Sequence, residues 1–111
     1  MKKYYIDSLQ YIRNKDPDAT FLLFTNDIDM VKNKSYLTND RIQVVISLDE
    51  IDNLYLMSMC KKGGIGTNSS YSWWGGWLND NKNKLVLYPK YWLKDKNEYD
   101  VHWEGSIIIN N

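Results

Sequence analysis

Apolar residues alternate between two periods along this chain. Tyr5, Leu9 and Ile12 fall at helical spacing and Asp16-Pro17 ends the segment, so residues 3–14 are predicted to be a helix. Phe21-Leu22-Leu23-Phe24 is a continuous apolar run between polar residues, the pattern of a buried strand. Thr25-Asn26-Asp27 then offers capping groups for a short helix around 28–33. Ile42-Gln43-Val44-Val45-Ile46 is β-branched and reads as a second strand. Ser47-Leu48-Asp49-Glu50 matches a capping box, with Ser47 at the N-cap. The helix after it carries Ile51, Leu54, Leu56, Met57, Met59 and Cys60 on more than one face, which predicts that it is well buried. Gly63 to Thr67 is a weaker strand, whose glycines permit close backbone approach. Residues 69–79 read as a helix, and Leu85-Val86-Leu87-Tyr88 as a strand stopped by Pro89. Residues 94–104 read as an exposed loop, and Ile107-Ile108-Ile109 as a last short strand.

Helix and strand patterns thus alternate throughout, which predicts an α/β layer fold with a mainly parallel sheet and flanking helices. At 111 residues the chain has room for one domain, residues 1–111, with a modest core. The apolar fraction of 43% and charged fraction of 25% are ordinary for a globular protein; five Trp and nine Tyr are not. Such aromatics fill cores or line sugar and nucleotide sites. Basic and acidic residues balance at 14 each, which argues against a nucleic-acid partner. The single cysteine, Cys60, forms no internal disulfide, suits a reducing compartment and reads as a small core residue. No apolar run approaches a membrane span, and Met1-Lys2-Lys3 is followed by no signal-peptide core. A cytoplasmic chain, free or at a membrane periphery, is expected.

Two segments carry candidate chemistry. In an open α/β sheet, ligands sit beyond the carboxyl ends of the strands, where Thr25-Asn26-Asp27 and Thr67-Asn68-Ser69-Ser70 are both expected. A helix starting after the second segment would turn unpaired N–H groups and its positive dipole end outward, a fit for phosphate. Equally, Asn68 or Ser69 could simply cap that helix. Trp73 and Trp77 are i, i+4 on it, with Gly75 and Gly76 between them. Two helical glycines cost about 1 kcal/mol each, and close approach of another backbone is the expected compensation. Trp73, Trp74 and Trp77 are therefore read as packing rather than as a sugar platform. Asp27 could accept a planar pair of N–H donors, which guanine offers on its Watson–Crick edge, or could cap the helix after it. Asp27-Ile28-Asp29 also spells the D-x-D spacing of some metal-dependent sugar transferases, a pattern common by chance. His102 has no second ligand at metal spacing and reads as a loop histidine.

The order of these motifs is more specific than any one of them. Phe21 to Asp27, Leu54 to Cys60, Thr67-Asn68-Ser69-Ser70-Tyr71-Ser72-Trp73-Trp74-Gly75-Gly76-Trp77-Leu78 and Tyr88-Pro89-Lys90-Tyr91-Trp92 resemble glycosyltransferase family 11, the α-1,2-fucosyltransferases that use GDP-fucose. The resemblance runs from about Tyr4 to Trp103. It implies a GT-B-type enzyme of two Rossmann-like lobes, of which this chain would be the C-terminal donor-binding lobe without its N-terminal acceptor lobe. It implies that Asp27 holds guanine and that Thr67, Asn68, Ser69, Ser70 and Tyr71 hold the diphosphate. It implies inverting transfer to a galactoside glycan without a metal cofactor. The family's basic His-x-Arg-Arg motif is absent from this sequence, and Arg13 and Arg41 are isolated. The chain alone is therefore expected to be inactive or nearly so, since charge at the leaving group is usually the largest catalytic contribution. Two further readings stay open: a non-catalytic module that binds GDP or docks a separate N-terminal chain, and an aromatic sugar-binding module.

Overall fold

A computed structural model of the protein describes residues 2–39, 41–45, 49–93, 95, 97 and 100–111. The elements run α1 (Lys2–Lys15), β1 (Phe21–Phe24), α2 (Ile28–Lys32), a 3-10 turn (Ser35–Leu37), β2 (Ile42–Val45), α3 (Glu50–Ser58), β3 (Gly63–Ile65), α4 (Ser70–Trp77), β4 (Leu85–Pro89) and β5 (Ile107–Ile109). The expected α/β alternation is present, and every strand pair is parallel. This is a Rossmann-like arrangement of parallel sheets and flanking helices. The ladder is divided: β1 pairs with β2, and β3, β4 and β5 form a second sheet in that order.

The core lies in the three-stranded half. Ile12 of α1, Ala19 and Leu87 of β4 are buried together, with Phe21, Ile65, Leu85 and Ile107 packed around them. Phe21 opens β1 and Leu85 opens β4, so the C-terminal part of α1 lies against the amino ends of strands from both sheets. The other end of α1 is pinned by Tyr4, fully buried, whose hydroxyl reaches the carbonyls of Gly66 (2.5 Å) and Leu87 (3.2 Å). Burial pushes this phenol far above its ordinary pKa, so it stays a neutral donor.

On the other side, α3 and α4 pack together. A Cβ on Gly75 would stand 2.8 Å from Met57 Sδ of α3, and one on Gly76 would strike the Tyr88 hydroxyl and Val86 of β4. The paired glycines thus admit side chains, not the backbone neighbour expected from the sequence. The C-terminus of α4 is closed by polar groups. Buried Asn79 donates to the Cys60 carbonyl at 2.6 Å, and the Lys84 ammonium reaches the carbonyls of Gly76 (3.1 Å) and Asn79. The Lys84 bonds satisfy carbonyls of the kind every helix end leaves open, and the Asn79 bond ties the end of α4 to the turn after α3.

Further sequence expectations are corrected. α3 has no buried residue; its neighbours cover one flank and leave Ile51, Tyr55 and Met59 in solvent. Its N-cap is Asp49, whose side chain accepts from the Asp52 N–H, so the helix starts two residues later than a Ser47 cap requires; Ser47 itself, like Ile46, lies outside the described residues. Cys60 is half-buried rather than core. The stretch 94–104, of which 94, 96, 98 and 99 lie outside the described residues, is not simply exposed. Val101, His102 and Trp103 are half-buried: the Val101 carbonyl accepts from Trp73 Nε1 at 2.6 Å, and His102 Nε2 sits 3.0 Å from the Pro89 carbonyl. Pro89 itself does not stop β4 but completes it, paired with Ile109.

Candidate functional site

β3 ends at Ile65, and after buried Gly66 the chain turns through Thr67, Asn68 and Ser69 into α4. Gly66 fits because the ring of Tyr88 occupies the space of a Cβ. Ser69 is the N-cap: its extended backbone turns the chain, and its hydroxyl accepts from the Ser72 N–H at 3.2 Å. The Trp73 N–H goes to the Ser69 carbonyl at 3.1 Å. Among the described residues this leaves the amides of Ser70 and Tyr71 without a protein acceptor, facing off the positive end of the helix.

Three hydroxyls tie this turn together. Ser72 Oγ accepts from the Thr67 N–H at 3.0 Å and lies 3.1 Å from Ser69 Oγ and 3.3 Å from Thr67 Oγ1. The knot holds Thr67 against the first turn of α4, so the two open amides are fixed before any ligand arrives. Ser72 is the residue that the sequence reading passed over. The available signal was its place three residues after the cap, where a side chain folds back toward the turn.

The other candidate positions distribute around this turn. Asn68 and Ser70 are exposed. Tyr71 sends its hydroxyl to the Glu50 carbonyl of α3; burial first, and then the Glu50 and Asp49 carboxylates, raise its phenol pKa. Its backbone N–H, not its hydroxyl, therefore faces the open end of α4. Trp73 stacks on Trp77 with centroids 5.7 Å apart, and both meet Trp103 edge-on at 5.4 and 5.3 Å. Trp103 also packs edge-on against Tyr88 at 4.9 Å. Trp73 is thus a packing residue that anchors α4 from below, while Trp74 and Trp77 keep about half their surface in solvent.

Asp27 lies three residues beyond β1, on the carboxyl side like the Thr67 turn. It caps α2, with Oδ1 accepting from the Met30 N–H at 3.1 Å, and its own N–H is held by Thr25 Oγ1 at 3.0 Å. The carboxylate is exposed, so its outer edge is open to a ligand. Among the described residues no hydrogen bond joins Asp27 to the Thr67–Ser72 knot, and no cluster of three or more metal-ligating side chains occurs. The arginines stand elsewhere, near the amino ends of β1 and β2. Arg13 lies 5.3 Å over the ring of Phe21, and Arg41 donates to the Asp18 carbonyl at 3.0 Å. A different hollow, of ≈ 440 Å³, opens at the amino end of β4 between Lys15, Asp16, Lys61, Lys62, Asn83 and Leu85, remote from both turns. No helix among the described residues is long and apolar enough to cross a membrane.

The chain is similar to two known glycosyltransferases. The O-antigen biosynthesis glycosyltransferase WbnK of Escherichia coli is 31% identical over 110 residues, covering 96% of this chain and 35% of that protein. An α-1,2-colitosyltransferase of Escherichia coli is 30% identical over 104 residues, covering 89% of this chain and 36% of that protein. The chain therefore spans about a third of the length of these relatives. No solved structure matches it. Residues 2–106 match the family model of glycosyl transferase family 11, and the chain belongs to that family.

Proposed function

We propose that the chain is the donor-binding lobe of a GT-B-type α-1,2-fucosyltransferase and holds the GDP part of GDP-fucose. Asp27 reads the guanine edge, while the amides of Ser70 and Tyr71, with the Ser70 hydroxyl, receive the diphosphate. Thr67 and Ser69 shape the turn, and Asn68 borders it. In the complete reaction the 2-hydroxyl of a galactoside attacks the anomeric carbon. The bond from that carbon to the diphosphate oxygen breaks, the proton of the attacking hydroxyl passes to solvent or to a base outside this chain, and GDP leaves with its new negative charge on the α4 amides. No metal ion enters this reading. The observation that carries it is the knot of Thr67, Ser69 and Ser72, which preorganises two free N–H groups at a helix N-terminus beyond a parallel strand.

The position of Arg13 and Arg41 favours a second feature: the lobe binds but does not turn over by itself. Both are held near the amino ends of the strands, so a basic clamp and an acceptor site come from polypeptide equivalent to the rest of the relatives, carried on a further segment or a separate chain.

Calorimetric titration with GDP, UDP and GMP tests the reading. GDP should bind at least about tenfold more tightly than UDP, which lacks guanine's paired donors, and than GMP, which lacks the second phosphate. Asp27→Asn keeps a capping oxygen for α2 but removes the paired acceptor, and should abolish the preference for GDP over UDP. Equal binding of GDP and UDP, or no binding by the folded chain, would refute the proposal.

A further inference from the structure

We infer that α3 is a self-association surface and that two copies of this chain pair across it in antiparallel fashion. Ile51, Tyr55 and Met59 fall at i, i+4 and i+8, one stripe on one face. They are 80%, 67% and 56% exposed, and the flank of α3 that meets α4 through Met57 lies on the far side of the helix. A helix in an α/β layer ordinarily turns polar residues outward; this one turns out an isoleucine, a tyrosine and a methionine.

The charges beside the stripe select the occupant. Asp49, Glu50 and Asp52 are exposed at the start of α3, and Lys61 is exposed just past its end. The charge thus reverses sign across Tyr55. A two-fold axis through Tyr55 and across the helix sets Tyr55 against Tyr55, Ile51 against Met59 of the other copy, and each acidic end against a basic end. The two helix dipoles then also run in opposition. A partner of uniform charge would be attracted at one end of the stripe and repelled at the other, whereas a second copy satisfies both ends. Stable interfaces bury about 800 Å² per partner, more than three side chains supply, so the dimer is weak and concentration-dependent.

Sedimentation velocity on the full chain between about 1 and 500 μM tests the inference. The weight-average mass should rise from monomer toward dimer. Tyr55→Glu places two like charges face to face on the axis and should weaken association at least about tenfold, with circular dichroism and Tm unchanged because the side chain is exposed. Glu50→Lys and Lys61→Glu, each of which makes the facing ends less opposite in charge, should each weaken it. Tyr55→Lys alone should weaken it as Tyr55→Glu does, because two like charges again meet on the axis. An equimolar mixture of Tyr55→Glu and Tyr55→Lys sets opposite charges face to face and should recover most of the wild-type association. That recovery is specific to self-pairing, since mixing two variants of this chain would not restore binding to a different partner. A chain monomeric throughout, a dimer indifferent to Tyr55→Glu, or a mixture that associates no better than either variant alone would overturn the inference.

Discussion

β4 and β1 are made of similar residues, Leu-Val-Leu-Tyr-Pro and Phe-Leu-Leu-Phe, yet they end in different surroundings. From Val86 to Pro89, β4 is buried throughout, whereas no residue of β1 or β2 is, and Leu22 stands 37% exposed beside its exposed register partner Gln43. The difference comes from the connections. A parallel sheet needs cover on both faces, and its crossover segments supply it. β4 lies between 14-residue α1 and the glycine face of α4. The crossover from β1 to β2 holds only the five-residue α2 and a 3-10 turn; it buries Val31 but little else. At about 1.5 Å per residue, α2 is shorter than the strands it would have to cover. Strand composition therefore specifies that a segment is extended, while the neighbouring helix decides how deeply it is buried.

The largest expected effect contrasts the two sheets directly. Leu87→Ala empties a fully buried site between α1 and the sheet and should cost about 3 kcal/mol, whereas Leu22→Ala should cost less than about 1 kcal/mol. Urea unfolding of the two variants measures both. Amide exchange should follow the same division, with β1 and β2 opening well before β4. Similar costs at both positions would mean that the β1–β2 half is as tightly held as the core, and the comparison would fail.

A pair of glycines sharpens the comparison within the covered half. Gly76→Ala drives a methyl into the Tyr88 hydroxyl and Val86, so it should destabilise by about 1–3 kcal/mol despite the better helix propensity of Ala. Gly64→Ala meets nothing within 4 Å and should stay within about 0.5 kcal/mol of wild type. Thermal melts of the two variants distinguish a close-packed α4–β4 contact from a loose one. Gly76→Ala should also move Trp73 and Trp103, so its tryptophan fluorescence should shift; a normal spectrum and melt would contradict the packing described.

The elements of this fold were legible because each rests on a local rule. The Tyr5-Leu9-Ile12 spacing, the two apolar runs and the β-branched 42–46 segment each placed an element within a few residues of where it lies. What could not be read was depth. Six apolar residues in 51–60 signal burial by count, but nothing local reveals that α3 packs through its Met57 flank and leaves Ile51, Tyr55 and Met59 exposed. Likewise, Val101 and Trp103 gave no periodic signal, because their partners Trp73 and Tyr88 are distant in sequence. At the candidate site, the capping roles of Asp27 and Ser69 were among the readings that the sequence left open, and the structure shows both. Ser72 was missed because its role depends on three hydroxyls meeting around a turn, which residue spacing alone does not specify.

The smallest effect concerns an ion pair that fastens the covered half at its lower edge. The Asp16 carboxylate, just after α1, meets Lys62 Nζ at 2.9 Å, just before β3. The hydrogen bond from Lys62 holds the Asp16 carboxyl below its ordinary pKa. A group whose pKa is depressed by folding stabilises the fold when ionised. Its contribution is complete above the ordinary carboxylate value, near pH 4, and disappears as pH falls through the depressed value. Lys62 is largely exposed, so solvent and salt screen the pair and the effect is slight. Asp16→Asn should therefore melt at most a few degrees below wild type at pH 6. The two melting curves should converge as pH falls below the ordinary carboxylate range and through the depressed value, and added salt should narrow the gap at pH 6. A gap that persisted unchanged at low pH would assign the effect of the substitution to something other than charge. The link from α1 to β3 would then rest on apolar contacts and backbone bonds alone.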